Sequence, residues 1–179
     1  MALLPIIEVP DPLLRAKSMP IERIDDDVRK LVSDMFDTMY AAPGIGLAAV
    51  QVAVPRRLMV IDLQEPEAEG GEPVRTPRAY INPEIIWSSD ERGSYNEGCL
   101  SIPEQYAEIE RPSRVRARWL DEHGLQHEAE VDGLLSTCVQ HEVDHLDGVL
   151  FIDYLSRLKR DIMLRKLGKY RKEMGIKVA

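Results

Sequence analysis

Two histidines, His141 and His145, are four residues apart in a segment with helical character. On an α-helix this spacing places both imidazoles on one face, one turn apart, where they can bind the same metal ion. Glu142 projects from the flank of that face, where its carboxylate can hold a water. A metal ion and a carboxylate together can activate water at neutral pH. Because the chain has four histidines in all, two of them at this spacing around a glutamate favour a metal site over an ordinary solvated helix face.

A catalytic metal site usually has three protein ligands and keeps one position for water. The chain offers two thiols, Cys99 and Cys138, as the third ligand. Cys138 shares the helix but lies about 10 Å along its axis from His145, so binding of one ion by Cys138 and both histidines is strained. Its apolar neighbours instead suit a buried thiol. Cys99 belongs to a separate segment beside a glycine and can approach the ion from another side, so it is the better candidate.

Residues 44–51, Gly-Ile-Gly-Leu-Ala-Ala-Val-Gln, combine two glycines with small alanines. Such a segment lets the backbone pass close to another group. The residues alone favour a loop that ends a helix and enters a packed segment. A dinucleotide-binding fingerprint is excluded, because the third glycine and a preceding strand are missing. Gln51 either caps a core hydrogen bond or faces a cleft.

The composition indicates an ordinary globular protein with one domain spanning residues 1–179, since 44% of the residues are hydrophobic and 30% are charged. The net charge of −8 argues against a general nucleic-acid binder, and no direct DNA binding is expected. The N-terminal segment has no basic leader and no apolar run is long enough to span a membrane, so no membrane association is expected. Two cysteines in such a chain predict reduced thiols and a cytoplasmic protein.

Hydrophobic periodicity predicts an α+β fold, with short antiparallel strands packed around the metal-binding helix and a C-terminal amphipathic helix. The C-terminal helix starts at Ser156 and is expected to bury Leu155, Leu158 and Ile162, with Leu164, Leu167 and Tyr170 as further candidates. The other predicted elements are a helix over 25–42, strands over 57–63, 79–87, 114–120 and 125–131, and the metal-binding helix over 132–147.

Three segments, residues 44–51, 97–101 (Glu-Gly-Cys-Leu-Ser) and 140–145 (Gln-His-Glu-Val-Asp-His), resemble the three signature motifs of bacterial peptide deformylases, in the same order. The resemblance implies an α+β metallohydrolase that removes the formyl group from the N-terminal formylmethionine of newly made polypeptides and releases formate. It also implies that metal-bound water attacks the formyl carbon, with Glu142 as general acid and base.

The resemblance assigns roles to residues at the motif positions. Cys99, His141 and His145 would bind the metal, and Gln51 with the backbone N–H of Leu100 would hold the oxyanion. The main chain of Ile45 and Gly46 would run beside an extended substrate. The pocket for the methionine side chain, with His141 at its floor, is expected to include Ile45, Tyr95, Leu134 and Cys138, since Leu134 and Cys138 share the inward face of the metal-binding helix. Gly98 is a further expected substrate-binding residue.

The metal and its surroundings leave three points open. Donor chemistry alone favours zinc, whereas the resemblance implies Fe²⁺, with Zn²⁺, Ni²⁺ or Co²⁺ as substitutes. Glu97 and Asp144, the latter paired with Arg111, are candidates for orienting the ligands. Tyr106 stands where many relatives have a basic residue, which predicts a difference in recognition of the rest of the peptide.

Two other kinds of protein compete with this interpretation. A zinc endopeptidase with a His-Glu-x-x-His helix takes a third ligand downstream, but no histidine follows His145 and the segment after it is mostly basic. A structural metal site in an interaction module normally has four protein ligands. Near this helix only Cys138 could be the fourth.

The C-terminal segment, residues 156–179, has nine basic and two acidic residues in a chain whose net charge is −8. A basic stripe attracts anionic partners through counterion release, although a solvated helix face would show the same pattern. Related enzymes meet their substrate at the ribosome. We therefore expect this helix to dock on the ribosome and to be dispensable for the chemistry.

Overall fold

The computed structural model, which describes residues 2–66 and 70–175, has an α+β fold, as predicted. A five-stranded antiparallel sheet has the strand order β1-β2-β3-β6-β7, and a separate two-stranded sheet consists of β4 and β5. The strands are β1 Gly46–Ala48, β2 Leu58–Ile61, β3 Arg78–Ser88, β4 Arg92–Cys99, β5 Ile102–Pro112, β6 Arg114–Leu120 and β7 Gln126–Asp132. The α-helices are α1 Asp26–Ala41, α2 Gly133–Leu146 and α3 Arg157–Glu173.

Strand β2 lies in the core with both faces covered, and all four of its residues are buried. Leu58 and Val60 belong to a cluster with α1, whereas Met59 and Ile61 belong to a cluster with α2. This alternation follows from the two-residue period of a strand. The sheet therefore separates α1 from α2 and holds β1, its edge strand, against the side of α2.

Helix α1 begins where the sequence predicts, because the side chain of Asp25 accepts a hydrogen bond from the backbone N–H of Val28. Helix α2 is buried over ten of its fourteen residues, including both histidines. A helix buried on most sides lies in the core. Its polar residues must therefore find partners inside the protein.

Strands β4 and β5 form a long hairpin that the sequence analysis did not predict. They pair from Arg92 opposite Pro112 to Cys99 opposite Ile102, with an irregularity between Gly98 and Cys99. The hairpin carries Cys99 at its tip and packs β5 against α3. It delivers the Cys99 thiol to His145 of α2.

The prediction that Leu158 and Ile162 are buried is wrong, since they are 68% and 39% exposed. Leu155 precedes the N-cap Ser156 and so does not share a helix face with these residues. The buried face of α3 carries Met163, Leu167 and Arg171, so the expectation for Leu167 is confirmed, and Leu164 and Tyr170 are partly buried beside it. Residues 176–179, including the predicted basic residue Lys177, lie outside the described residues.

Candidate active site

A thiol and two imidazoles meet between the hairpin tip and α2. The candidate ligand atoms of Cys99, His141 and His145 lie within 4.8 Å of one another. Cys99 Sγ is 3.2 Å from His145 Nε2. Both histidines are buried and Cys99 is partly exposed, so the cluster opens toward solvent only on the cysteine side. This donor set fits a divalent transition metal ion, for which thiolate and imidazole are favoured ligands.

The Nδ1 atom of His141 is 2.9 Å from Glu97 Oε2. A carboxylate partner at Nδ1 fixes the ring and leaves Nε2 for a metal. Glu97 is in turn held by Arg111, whose Nε and Nη2 donate to its two oxygens at 2.6 and 3.0 Å. Burial by itself would raise the pKa of Glu97, but hydrogen bonds from His141 and Arg111 outweigh it and lower that pKa. Glu97 is therefore a carboxylate at neutral pH.

His145 is 1% exposed and lies one turn beyond His141 on α2. Burial, followed by the positive charge of neighbouring groups, lowers its pKa well below the ordinary value. Its imidazole is therefore neutral at pH 7. A neutral imidazole is the form that binds a metal ion.

Glu142 points into the cleft beside the cluster. Its side-chain atom Oε2 is buried and has no hydrogen-bond partner among the described residues. Burial raises its pKa to about 7. A Cβ atom added at Gly46 would lie 2.4 Å from Glu142 Oε1, so only glycine at position 46 lets the carboxylate and the edge of β1 come this close.

Gln51 is held at both ends of its amide in the 3-10 helix Ala49–Val52 that follows β1. Its Oε1 accepts from Ala48 N at 2.8 Å, and its Nε2 donates to Ser101 Oγ at 3.1 Å. Nε2 also lies 3.5 Å from Cys99 Sγ. The amide N–H therefore faces the cluster in a fixed orientation.

A cavity of about 580 Å³ opens over these groups. The sequence-predicted residues that the structure brings together along its wall are Ile45, Gly46, Gln51, Tyr95, Gly98, Cys99, Leu100, Leu134, Cys138, His141 and Glu142. His145 does not line the cavity, but it contacts Cys99, which does. Cys138 is 6% exposed, outside the group of three ligand atoms, and packs with the core cluster of α2.

Comparison with known proteins identifies the family. The profile of the polypeptide deformylase family matches residues 3–161. The peptide deformylase of Rhizorhabdus wittichii is 60% identical over 172 residues, which cover 96% of this chain and 97% of that protein.

The chain belongs to the polypeptide deformylase family. Solved deformylase structures agree with this assignment. The enzyme from Legionella pneumophila has a TM-score of 0.89 and 40% identity, covering 99% of this chain and all of that one. The Ehrlichia chaffeensis enzyme in complex with actinonin has a TM-score of 0.88 and 44% identity, covering 95% and 98% of the two chains. Members of the family are metal-dependent hydrolases that remove the formyl group from an N-terminal methionine, so the chain is an enzyme of that class.

Three residues around the deformylase site have no role in the sequence analysis. Ser101, which is fully buried, accepts from Gln51. Phe151 stacks on the His141 ring, and Tyr154 contacts Arg111. Ser101 could have been found from its place in the second motif. The two aromatic residues give no local signal, because their partners are distant in sequence.

The two histidines outside the deformylase site lie at the hairpin between β6 and β7. His127 Nε2 is 2.7 Å from Asp121 Oδ2, and its ring stacks on Trp119. Both therefore lie outside the group of Cys99, His141 and His145. Within residues 2–66 and 70–175, no helix combines the length and apolar character needed to cross a membrane.

Proposed function

We propose that this chain hydrolyses the formamide bond of formylmethionine at the N-terminus of newly made polypeptides and releases formate in the bacterial cytoplasm. The observation that carries the proposal is the cluster of Cys99, His141 and His145 beside the buried carboxylate of Glu142, at the floor of an open cavity. A metal ligand set and an unpaired carboxylate in one cleft are the groups that hydrolysis of an amide requires.

Cys99, His141 and His145 hold the metal ion in this proposal. A bound divalent ion would polarise the formyl oxygen and lower the pKa of water toward neutrality. We propose Fe²⁺ as the native ion, with Zn²⁺, Ni²⁺ or Co²⁺ as substitutes, because the chain belongs to the deformylase family. Cys138 has no part in coordination, since its thiol packs in the core and its pKa is raised, first of all by burial.

Glu142 acts as general base and then as general acid. Its carboxylate accepts a proton from the attacking water and returns it to the departing amine, which would otherwise be a poor leaving group. The buried position supports this role, because a carboxyl pKa near 7 suits both steps at neutral pH. Gly46 lets the edge of β1 pack closely against Glu142 Oε1, since a Cβ atom there would lie 2.4 Å from that oxygen.

Gln51 and the backbone N–H of Leu100 stabilise the oxyanion that forms on the formyl oxygen. The amide of Gln51 is already oriented by Ala48 and Ser101, so donating a hydrogen bond to the oxyanion needs no reorganisation. Leu100 follows Cys99 at the tip of the hairpin and lines the same cavity.

The substrate backbone is expected to lie along β1. Among the described residues β1 is an edge strand of the five-stranded sheet, and the main chain of Ile45 and Gly46 lies beside the cavity. An extended peptide can add to such an edge. The methionine side chain then enters the slot formed by Ile45, Tyr95, Leu134 and Cys138, and Gly98 lets the hairpin approach the substrate closely.

Leu134→Asp should raise KM for formyl-Met peptides by about tenfold or more, because the slot loses apolar contact and gains a charge. Steady-state kinetics of formate release checks this. Leu125→Asp is the matched control, since Leu125 is exposed on the β6–β7 turn and its change should leave KM unaltered. An unchanged KM in Leu134→Asp would remove that residue from the slot.

The function as a whole is tested by loading the protein with metal under anaerobic conditions and supplying formyl-Met-Ala-Ser. Stoichiometric release of formate and free Met-Ala-Ser is expected. Cleavage of internal peptide bonds would instead support an endopeptidase. A metal-loaded protein inert on both bonds would support a structural metal site.

We further propose that α3 docks on the ribosome near the nascent-chain exit, a role supported by its basic composition and its exposed surface. Lys166, Lys169 and Lys172 are exposed, and so are the apolar side chains of Leu158 and Ile162. The opposite face packs against the core, and Arg171 donates a hydrogen bond to the carbonyl of Val9. Deletion of the helix end would therefore disturb packing, so substitution of exposed lysines is the sharper test.

Changing Lys166, Lys169 and Lys172 to glutamine should weaken salt-sensitive co-sedimentation with ribosomes by about tenfold while formate release from a short peptide stays the same. The control changes three exposed basic residues elsewhere, Lys17, Arg23 and Arg56, to glutamine and so has the same net charge. Equal losses in the two variants would show a nonspecific charge effect. No co-sedimentation of the unmodified protein at low salt would contradict docking.

A further inference from the structure

The 3-10 helix Phe151–Tyr154 touches the surroundings of the metal cluster at two places. The ring of Phe151, which is 1% exposed, stacks on His141 with 6.1 Å between centroids and 25° between planes. Tyr154, at the other end of the same turn, lies 48% exposed beside Asp144. One short element thus contacts the candidate metal ligand His141 through Phe151. Through Tyr154 it also contacts Asp144, on the solvent-exposed side of the site.

Tyr154 makes two contacts with the charged groups behind His141. Its ring lies over the Arg111 guanidinium, 4.6 Å from the carbon of that group to the ring centroid. Its hydroxyl donates to Asp144 Oδ2 at 2.9 Å and lies 3.3 Å from Arg111 Nη1. Packing alone would not require a half-exposed tyrosine to make these contacts with Arg111 and Asp144.

Arg111 joins these contacts to the metal ligand. Its side chain is only 4% exposed, and its guanidinium forms ion pairs along two of its edges. Nε and Nη2 bind Glu97, while Nη1 binds Asp144 Oδ2 at 2.8 Å. Since a guanidinium is planar and rigid, fixing one edge fixes the other. Glu97, held in place by Arg111, then fixes the orientation of the His141 ring through the hydrogen bond at Nδ1.

The Asp144 side chain is 21% exposed, the most accessible group of this chain of bonds after Tyr154. Water could compete for its oxygens if the tyrosine ring were not there. A charged hydrogen bond is worth more when solvent is kept out. The Tyr154 hydroxyl therefore occupies Asp144 Oδ2 at the exposed end of the network, while its ring covers Arg111.

We propose that Tyr154 is a positioning residue for His141, acting through Asp144, Arg111 and Glu97. It limits rotation of the His141 imidazole and so slows the release of the bound metal ion. The inference depends on the proposed metal site, and it adds a residue four hydrogen bonds from the ligand that it orients. Outer partners of a metal ligand commonly change metal affinity when they are altered.

The test measures the rate at which Co²⁺ leaves the protein after addition of excess chelator, followed by the visible absorption of bound Co²⁺. Tyr154→Phe keeps the ring over Arg111 and loses the hydroxyl, so release should be about threefold faster. Tyr154→Ala loses both contacts and should release the ion about tenfold faster, at the low end for outer partners of metal ligands. The absorption bands should shift in Tyr154→Ala, because the angle of the His141 ring changes.

Tyr40→Phe is a closely matched control. Tyr40 also donates its hydroxyl to a buried carboxylate, Asp62, at 2.5 Å, and also carries a guanidinium, that of Arg75, over its ring. It belongs with α1 and not with the metal cluster. Tyr40→Phe removes the same kind of hydrogen bond to a carboxylate but should leave the rate of Co²⁺ release unchanged.

A double variant shows whether Tyr154 acts through Asp144. If it does, Tyr154→Phe should add little to the faster release already caused by Asp144→Asn, because coupled residues are not additive. Additive effects, wild-type release rates in both Tyr154 variants, or an equal acceleration by Tyr40→Phe would each overturn the inference. If the unmodified protein binds no Co²⁺, the metal site itself fails, and the inference fails with it.

Discussion

Glu142→Gln should bind metal as the unmodified enzyme does, and its kcat should fall by a factor of about 10² to 10⁴. Glutamine has nearly the shape of glutamate, so the cleft and the ligands on α2 should be undisturbed. The amide cannot take the proton of the attacking water. Since the side chain of Glu142 is buried and its Oε2 has no partner among the described residues, no neighbouring group is placed to replace it.

The measurement is kcat for formate release together with metal content per chain. Glu104→Gln is a matched control: Glu104 lines the same cavity but is exposed on β5, so its change should leave kcat near the original value. A metal-loaded Glu142→Gln enzyme that keeps more than about a tenth of its activity would contradict the acid–base role, because general catalysis of this kind contributes at least about 10²-fold.

Local patterns in the sequence were sufficient for the parts of the fold that local interactions determine. The boundaries of α1 follow from the cap at Asp25 and the three-and-four spacing of its apolar residues. The hairpin of β6 and β7 follows from alternation around a turn at Gly124. The pairing of His141 with His145 follows from helix geometry alone.

Strands β4 and β5 were missed because glycines and charged residues obscure them. In β5 the exposed residues Glu104, Tyr106, Glu108 and Glu110 alternate with less exposed ones, a two-residue pattern that could have predicted a strand. The start of α3 at its cap Ser156 was predicted, but part of its buried face was misassigned, since Leu158 and Ile162 are exposed whereas Leu167 is buried. Apolar residues lie on more than one side of this helix, so their spacing alone does not show which side packs on the core.

The network behind the site could be predicted only in part. The pairing of Asp144 with Arg111 was expected and is present. Phe151 stacks on His141, and Tyr154 makes a cation–π contact with Arg111. Contacts of these kinds produce no periodic pattern in the sequence. Such contacts depend on the packing of the 3-10 helix against α2, which three-dimensional structure alone reveals.

Cys99→Ala should weaken metal binding and Cys138→Ala should lower stability, because the two thiols have different neighbours. Cys99 Sγ faces His145 Nε2 at 3.2 Å, whereas Cys138 packs among apolar residues of the α2 cluster. A metal site with four ligands is worth roughly 10–16 kcal/mol, so one ligand accounts for about 3 kcal/mol and its loss should weaken Co²⁺ binding by about 10²-fold. Cys138→Ala removes a small buried group, and its melting temperature should fall by about 2–4 °C, the shift expected for about 1 kcal/mol in a chain of this size.

The two variants are compared by Co²⁺ titration against a chelator and by thermal unfolding of the metal-free proteins. Cys99→Ala should lose affinity with little change in the unfolding of the metal-free form, because Cys99 is partly exposed. Cys138→Ala should keep its affinity and lose stability. The thiolate contribution to the absorption of bound Co²⁺ should vanish only in Cys99→Ala. If it vanished in Cys138→Ala instead, the third ligand would come from α2 itself, and the hairpin formed by β4 and β5 would have no role in binding the metal.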